Sequence, residues 1–432
     1  MNILFLHNNF PAQFIHLVQL YSEDKLQKEK NKIVFISQYK RGDLNLPEVV
    51  LKKAKDLPEI KGHNKAEQAL LKNFYTGEAY ASTMMELRKD GFIPDLIYDH
   101  PGWGCGAYVG DIFPQTPRIS YFEWFYTKGA NYMFFSPGRV RNPAEFAASR
   151  QRNLCQLDAL RECDVAISPT AWQFRQYPVE YSHKFHVIHD GINTNFFSPV
   201  DSEGAGESAD SEHIVQGLDL SAMSEIVTYT ARGLEPYRGF PQFWKSIPYI
   251  LQARPEAHIV LMAGDDVHYG EPRSDGKTWK QAMLEEIPVD ESRVHFLSYG
   301  AYPEYRKLLR HSSVHVYLTV PFVLSWSLLE AMSCGCLVVA SATEPVREVI
   351  EHAQNGFLTS FWDEKEIAKI VSFTLENKEK LQGVRAAARK TVLERYNLEK
   401  CLQQHAYIAT ELLMKNRLSH YYMTQHQNNQ LA

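Results

Sequence analysis

Short runs rich in Val, Ile, Leu and Phe punctuate the chain: NILFLH from residue 2, KIVFIS at 32–37, DLIYDH at 95–100, RISYF at 118–122 and VAIS at 165–168. Between them lie longer segments with helical spacing, such as AQFIHLVQLY and AYASTMMELRKDG. Strand followed by helix, repeated, predicts parallel βαβ units with helices on both faces of a sheet. The pattern breaks at PVDSEGAGESADSEHIVQGLDLSAMS, residues 199–224, which is polar, acidic and rich in Gly and Ser. Such a composition reads as a flexible linker or surface excursion. A second series then begins with EIVTYT at 225–230, HIVLMAG at 258–264, VHFLSY at 294–299, VHVYLT at 314–319 and CLVVAS at 336–341. The pattern predicts an α/β chain of two doubly wound halves. Near the end, LEKCLQQHAYIATELLMKNRL sets Leu398, Cys401, Leu402, His405, Ile408, Leu412 and Leu413 on one side of an amphipathic helix. That stripe predicts a helix returning to the first half. The expected domains are residues 1–198 joined by a helix at about 398–432, a linker at 199–224, and a second domain at 225–397.

Composition narrows the function more than the fold. The 432 residues are 44% hydrophobic and 22% charged, as in ordinary soluble proteins. A formal net charge of -5 gives no basic face for nucleic acid. No apolar run approaches the roughly 18 residues that span a bilayer. MNILFLHNNF has neither a basic leader segment nor a cleavage site, so a cytoplasmic protein is expected. The cysteines stand singly apart from Cys334 and Cys336, without a C-x-x-C pair. Reduced thiols fit that spacing better than a disulfide or zinc framework.

In open α/β sheets ligands bind outside the carboxyl ends of the strands. There the second half carries TARGLEPYRGF, where Arg232 and Arg238 flank a tight turn. Two guanidiniums in that place match the oxygens of a diphosphate, or are surface arginines of a turn. LMAGDD puts Gly264 and Asp265 where the next strand meets its loop. VPFVLSWSLLEAMSCG reads as loop then helix, starting near Ser325 and closed by Gly335. Nothing charged stands at its entrance, where free amides attract anions. Glu330, inside the helix, suits either a ribose or a structural ion pair. In the first half DHPGWGCG places His100 and Trp103 after a strand. YFEWFYTKGANYMFF places Glu123 at another strand end among aromatic rings that stack on sugars or fill a core. Arg139, Arg141, Arg150 and Arg152 follow, to receive an acceptor or membrane or to remain solvated.

Taken together these motifs resemble the family 4 retaining glycosyltransferases of GT-B fold, also called glycosyl transferases group 1. ARGLEPYRG resembles the family's G-R-x(5)-K-G loop, with Arg232 on the arginine and Arg238 in place of the lysine. LMAGDD resembles its G-[DE]-G. HFLSYGAYPEYRKLL, with Leu297 and Ser298, resembles the segment whose backbone meets the nucleotide base. VPFVLSWSLLEAMSCG resembles the E-x7-E helix, and VIHDGINTNFFSP resembles the inter-domain hinge, with Gly191 able to absorb a large φ change. HNNFPAQFIHL and HPGWG are similar to one N-terminal variety of the family.

The resemblance implies two Rossmann-like domains facing across a cleft and transfer of a sugar from a nucleoside diphosphate sugar to a glycan or lipid-linked acceptor. It implies donor contacts at Gly264, Asp265, Leu297, Ser298, Phe322, Leu324, Ser325, Trp326, Ser327 and Glu330. Arg232, Arg238, Glu123 and His100 are the implied catalytic groups. Neither a metal nor another cofactor is expected, and no nucleic acid; peripheral association with the inner face of a membrane is. Three departures stand out. Phe322 replaces the first acid of E-x7-E, Glu123 replaces an active-site histidine, and Asn8, Asn9, Phe10 and Pro11 replace a glycine-rich loop. A binding protein that no longer catalyses is the alternative that Phe322 suggests. An α/β oxidoreductase lacks support, because no strand is followed by G-x-G-x-x-G.

Overall fold

The computed structural model describes the chain apart from residues 24–30, 41–45, 128–134, 139, 141–142, 201–212 and 432. It divides into two compact units, Met1–Asp190 with Glu399–Ala432, and Gly191–Leu398.

The sheet of the first unit contains β1 (Asn2–Leu6), β2 (Lys32–Ser37), β3 (Val49–Lys53), β4 (Leu96–Asp99), β5 (Arg118–Tyr121), β6 (Val165–Ser168) and β7 (Phe185–Val187). All pair in parallel, in the order β3-β2-β1-β4-β5-β6-β7. Successive side chains of a strand point to opposite faces, so Ile3 and Phe5 enter one apolar layer while Leu4 and Leu6 enter another. Helix α1 (Ile15–Ser22) covers the first layer with Leu17, Val18 and Tyr21. Helix α2 (Lys65–Lys89) covers the second with Ala79, Tyr80, Met84 and Leu87. The Asn64 side chain starts α2 by accepting the amides of Ala66 and Glu67.

The second sheet contains β8 (Glu225–Gly233), β9 (Ala257–Gly264), β10 (Val294–Leu297), β11 (Val314–Tyr317), β12 (Val338–Ser341) and β13 (Phe357–Thr359). It too is parallel, in the order β10-β9-β8-β11-β12-β13. Both sheets therefore reverse their strand order beside their first strand, which opens a crevice at that carboxyl end. Helices α3 (Tyr302–His311), α4 (Trp326–Ser333) and α5 (Gln382–Arg395) flank the second crevice or its support. Helix α6 (Leu398–Leu431) belongs with the first unit, where Ile408 and Ala409 are buried in the same apolar layer as Ile3 and Phe5 and Leu402, Leu412 and Leu413 pack against that layer.

The structure corrects two expectations. The first unit ends at Asp190, not 198, because the following residues are tied into the second unit. Ile192 donates to the Tyr396 carbonyl at 2.7 Å, and Arg389 donates to the carbonyls of Phe197 and Ser333. Residues 201–212 of the expected linker lie outside the described residues, but Ile214–Val215 and Leu218–Asp219 form a hairpin. Its Val215 and the adjacent Leu220 are buried with Val260, Leu297 and Leu308, so apolar burial makes this piece part of the second unit. Of the two readings left open for the aromatic stretch, burial of Tyr121, Phe122, Trp124 and Phe125 selects core. Arg139 and Arg141 lie outside the described residues, whereas Arg150 and Arg152 are exposed on the helix Pro143–Glu162.

Candidate functional site

At the carboxyl end of β8 the strand bulges between Thr230 and Gly233. A Cβ on Gly233 would lie 1.9 Å from the Asp266 carbonyl oxygen, so the approach of the two loops requires glycine. Leu234 N–H donates to the Gly264 carbonyl at 2.9 Å, closing the end of β9 onto that of β8. Buried Glu235 then accepts the backbone N–H groups of His268 at 3.3 Å, Tyr269 at 3.0 Å and Gly270 at 2.8 Å. This carboxylate fastens the loop after β9 to the loop after β8. Tyr269 is thereby held with its ring centroid 5.0 Å from the Arg238 guanidinium.

The two arginines differ. Arg238 is buried, and its Nη1 donates to Thr319 Oγ1 at 2.8 Å and to Tyr317 Oη and the Val323 carbonyl at 3.3 Å each. It braces the turn that leads into α4. Arg232 is exposed and makes no hydrogen bond or ion pair among the described residues. One is a cation that shapes the rim; the other is a cation free to meet a ligand.

Ser325 caps α4, accepting the Ser327 amide at 3.3 Å, while its own N–H donates to Tyr317 Oη at 3.0 Å. Trp326 and Ser327 form the half-buried first turn, and Leu324 is buried before it. No acidic side chain stands in that turn. Phe322 packs edge-on against the rings of Tyr237 and Tyr269, at 6.0 and 5.8 Å. The helix ends as its glycine predicted: Gly335 has φ 76° and the Cys336 N–H reaches back to the Ala331 carbonyl at 3.0 Å.

Glu330 is 5% exposed, and burial pushes its carboxyl up to about 8 against the opposing influence of the Tyr305 hydroxyl. That hydroxyl faces both Glu330 and Thr230 without closing a hydrogen bond to either. Thr230 Oγ1 is likewise buried without a partner. Strand β8 and helix α3 thus place two hydroxyls without hydrogen-bond partners, which native interiors seldom leave, near the buried carboxyl of Glu330 on α4.

At the end of β10, Leu297 is buried, while Ser298 is exposed and its peptide is engaged by the Gln216 side chain. Asp265 is exposed and lies 3.9 Å from Lys280 Nζ.

In the first unit the ends of β1, β4 and β5 bring His7, His100 and Glu123 together. His100 Nδ1 accepts the Gly102 N–H at 3.2 Å, so the neutral ring carries its proton on Nε2, 3.6 Å from Glu123 Oε2. Glu123 Oε1 accepts from Gln13 Nε2 at 2.9 Å. His7 Nδ1 accepts the Asn9 N–H at 2.9 Å, and its ring meets His100 and Trp103 at 4.9 and 5.0 Å. Among the described residues no group of three or more His, Cys, Asp or Glu side chains is arranged to hold a metal ion, and no helix is long and apolar enough to cross a membrane.

Sequence reasoning missed Glu235, Thr230, Tyr305, His7 and Gln216 as members of these sites. Glu235 carried a signal, an acid between two arginines in a Gly/Pro turn. The others sit in ordinary strand, helix and hairpin positions and carried none.

Two Rossmann-like units, each with a parallel sheet that reverses its strand order beside its first strand, define a protein of GT-B fold. Residues 29–197 match the Glycosyl transferase family 4 group and residues 210–391 match Glycosyl transferases group 1. The chain belongs to these glycosyltransferases. It is similar to a probable sucrose-phosphate synthase of Thermosipho melanesiensis, 22% identical over 77% of this chain and 73% of that one. Anabaena Alr3699/HepE, solved in complex with UDP-glucose, aligns over 95% of this chain and 100% of its own at 17% identity and TM-score 0.67. The sucrose-phosphate synthase of Thermosynechococcus elongatus aligns over 96% and 100% at 16% identity and TM-score 0.68. At these identities the structural likeness speaks for the fold.

Proposed function

We propose that the protein transfers a sugar from a UDP- or GDP-linked donor, with retention, to a glycan or lipid-linked saccharide in surface polysaccharide or glycoconjugate assembly at the inner face of a membrane. The observation that carries the donor reading is the buried trio of Glu330, Tyr305 and Thr230 beside the uncharged entrance of α4. The ribose diol meets the trio and the diphosphate meets the helix entrance. The Anabaena protein's complex with UDP-glucose supports a donor of this class. As the glycosidic bond breaks, negative charge grows on the leaving diphosphate, which takes the proton of the attacking acceptor hydroxyl. Arg232 and the helix dipole stabilise that charge, with Arg238 holding the rim in shape. This positive charge replaces any need for a metal ion. His100 and Glu123 are assigned to the acceptor. Gly264, Asp265, Leu297, Ser298, Leu324, Ser325, Trp326 and Ser327 line the donor side.

A donor screen read by mass tests the reading, with Arg232→Ala as its control. Transfer from a nucleoside diphosphate sugar that falls by about two orders of magnitude in the variant is expected, the size of effect seen when one transition-state donor is removed. Activity within threefold of wild type would sink the role of Arg232. Phe322, in place of an acid, favours a second reading in which the nucleotide binds without chemistry. Tight binding of UDP or GDP with neither hydrolysis nor transfer would select it.

A further inference from the structure

The peptide of Ser298 ends β10 at the sheet's ligand-binding rim, and both of its polar groups are engaged by one side chain. Gln216 Oε1 accepts the Ser298 N–H at 3.0 Å, and Gln216 Nε2 donates to the Ser298 carbonyl at 2.9 Å. Gln216 stands at the tip of the hairpin between Ile214–Val215 and Leu218–Asp219, in the left-handed region at φ 49°. Its own N–H is tethered to Glu304 Oε2 at 2.8 Å. A primary carboxamide presents an acceptor beside a donor, the same edge that uracil offers with a carbonyl and its N3–H, and guanine with O6 and N1–H. The Ser298 loop also leads directly into α3, whose Tyr305 hydroxyl faces Glu330, and whose Tyr302 lies within electrostatic reach of Glu330, Tyr299 and Arg232. Exposed Tyr299 follows directly on Ser298, and Tyr302 is half exposed while its ring packs edge-on to Phe197 and Tyr305.

We infer that Gln216 is a built-in mimic of the nucleobase: its carboxamide and the base of the donor compete for the Ser298 peptide, so the hairpin tip sets the threshold for nucleotide binding. The inference rests on the donor reading above. It follows from complementarity, since a base edge and the Gln216 amide cannot satisfy the same two peptide groups at once. Gly300 belongs to the same device. A Cβ there would come within 2.7 Å of Gln216 Nε2, so glycine leaves room for the amide to dock.

The test is calorimetric titration of the full chain with UDP, GDP and inorganic diphosphate, comparing wild type with Gln216→Gly and Gln216→Asn. Glycine suits the left-handed backbone and removes the amide; asparagine tolerates it and is one methylene too short to span both peptide groups. Two exposed neutral hydrogen bonds amount to about tenfold in affinity, about 1.4 kcal/mol. Both variants should bind the preferred nucleoside diphosphate about tenfold more tightly, with affinity for inorganic diphosphate unchanged. Nucleotide affinity that stays level or weakens, while wild type binds, overturns the mimicry alone. Equal tightening for inorganic diphosphate also overturns it, since the effect would not involve the base. If none of the three proteins binds either nucleotide, the donor reading falls and the mimicry with it.

Discussion

Replacing Glu330 with Gln probes the buried carboxyl on which the donor reading depends. Burial moves its pKa from 4.5 to about 8. Below pH 4.5 folded and unfolded chains both hold the proton, and the full contribution to stability is present. Between 4.5 and about 8 the unfolded chain releases the proton while the folded chain keeps it, so stability falls as pH rises. Each pH unit across that window costs about 1.4 kcal/mol, and close to 5 kcal/mol is lost by pH 8 at most. Gln has the same shape and no charge to bury. Urea unfolding of both proteins at pH 5, 6, 7 and 8 should show near-equal stability at pH 5 and a variant more stable by several kcal/mol at pH 8. Taking the difference at each pH cancels every other titrating group. Parallel pH profiles, or a variant less stable than wild type at pH 8, would refute the burial argument. Nucleotide binding supplies a second readout. A ribose diol donates to the ionised carboxyl and favours it, so binding should release a proton and tighten as pH rises toward 8. In Glu330→Gln that dependence should disappear.

Glu235→Ala leaves the amides of His268, Tyr269 and Gly270 without their acceptor, and water can replace it only in part. A loss of about 2–4 kcal/mol in chemical denaturation is expected, with weaker nucleotide binding as Tyr269 leaves Arg238; an unchanged denaturation midpoint would count against the brace. His189 and His405 are held neutral by burial, down to about 3 and about 4, and the nearby His405 and His16 lower His189 further. The unfolded chain takes up protons below about pH 6.5, so each should cost about 1.4 kcal/mol per pH unit as pH falls from there. Acid unfolding of His405→Gln should therefore be less steep than that of wild type, and an identical slope would exclude His405. Deleting the chain from Glu399 removes Ile408, Ala409 and their apolar neighbours from the first unit's core layer, so limited proteolysis should attack the first unit while UDP or GDP binding by the second persists. Full transfer activity in the deletion would show that α6 is dispensable.

What the sequence determined by itself lies within a few residues of chain. Continuous apolar runs became parallel strands, because a strand covered on both faces needs nothing polar on either. Ser325 and Gly335 marked the ends of α4, since capping interactions span no more than one turn. The ordered motifs ARGLEPYRG, VPFVLSWSLLE and HNNFPAQF were equally local, and they sufficed for the family. Only the tertiary structure decided which groups meet. Glu235 finds its amides 33 to 35 residues away, across a complete βα unit. Gln216 finds Ser298 at a separation of 82 residues. Arg232 and Arg238 look alike in the turn, yet sheet register buries one beneath Tyr269 and leaves the other in solvent. The rings around the end of β5 could stack on a sugar or fill a core by sequence, and packing makes Tyr121, Phe122, Trp124 and Phe125 core. In the first two cases the partner lies in a loop that follows another strand of the parallel sheet. Crossover connections bring such strands together from distant sequence, so no local pattern encodes which residue will be opposite.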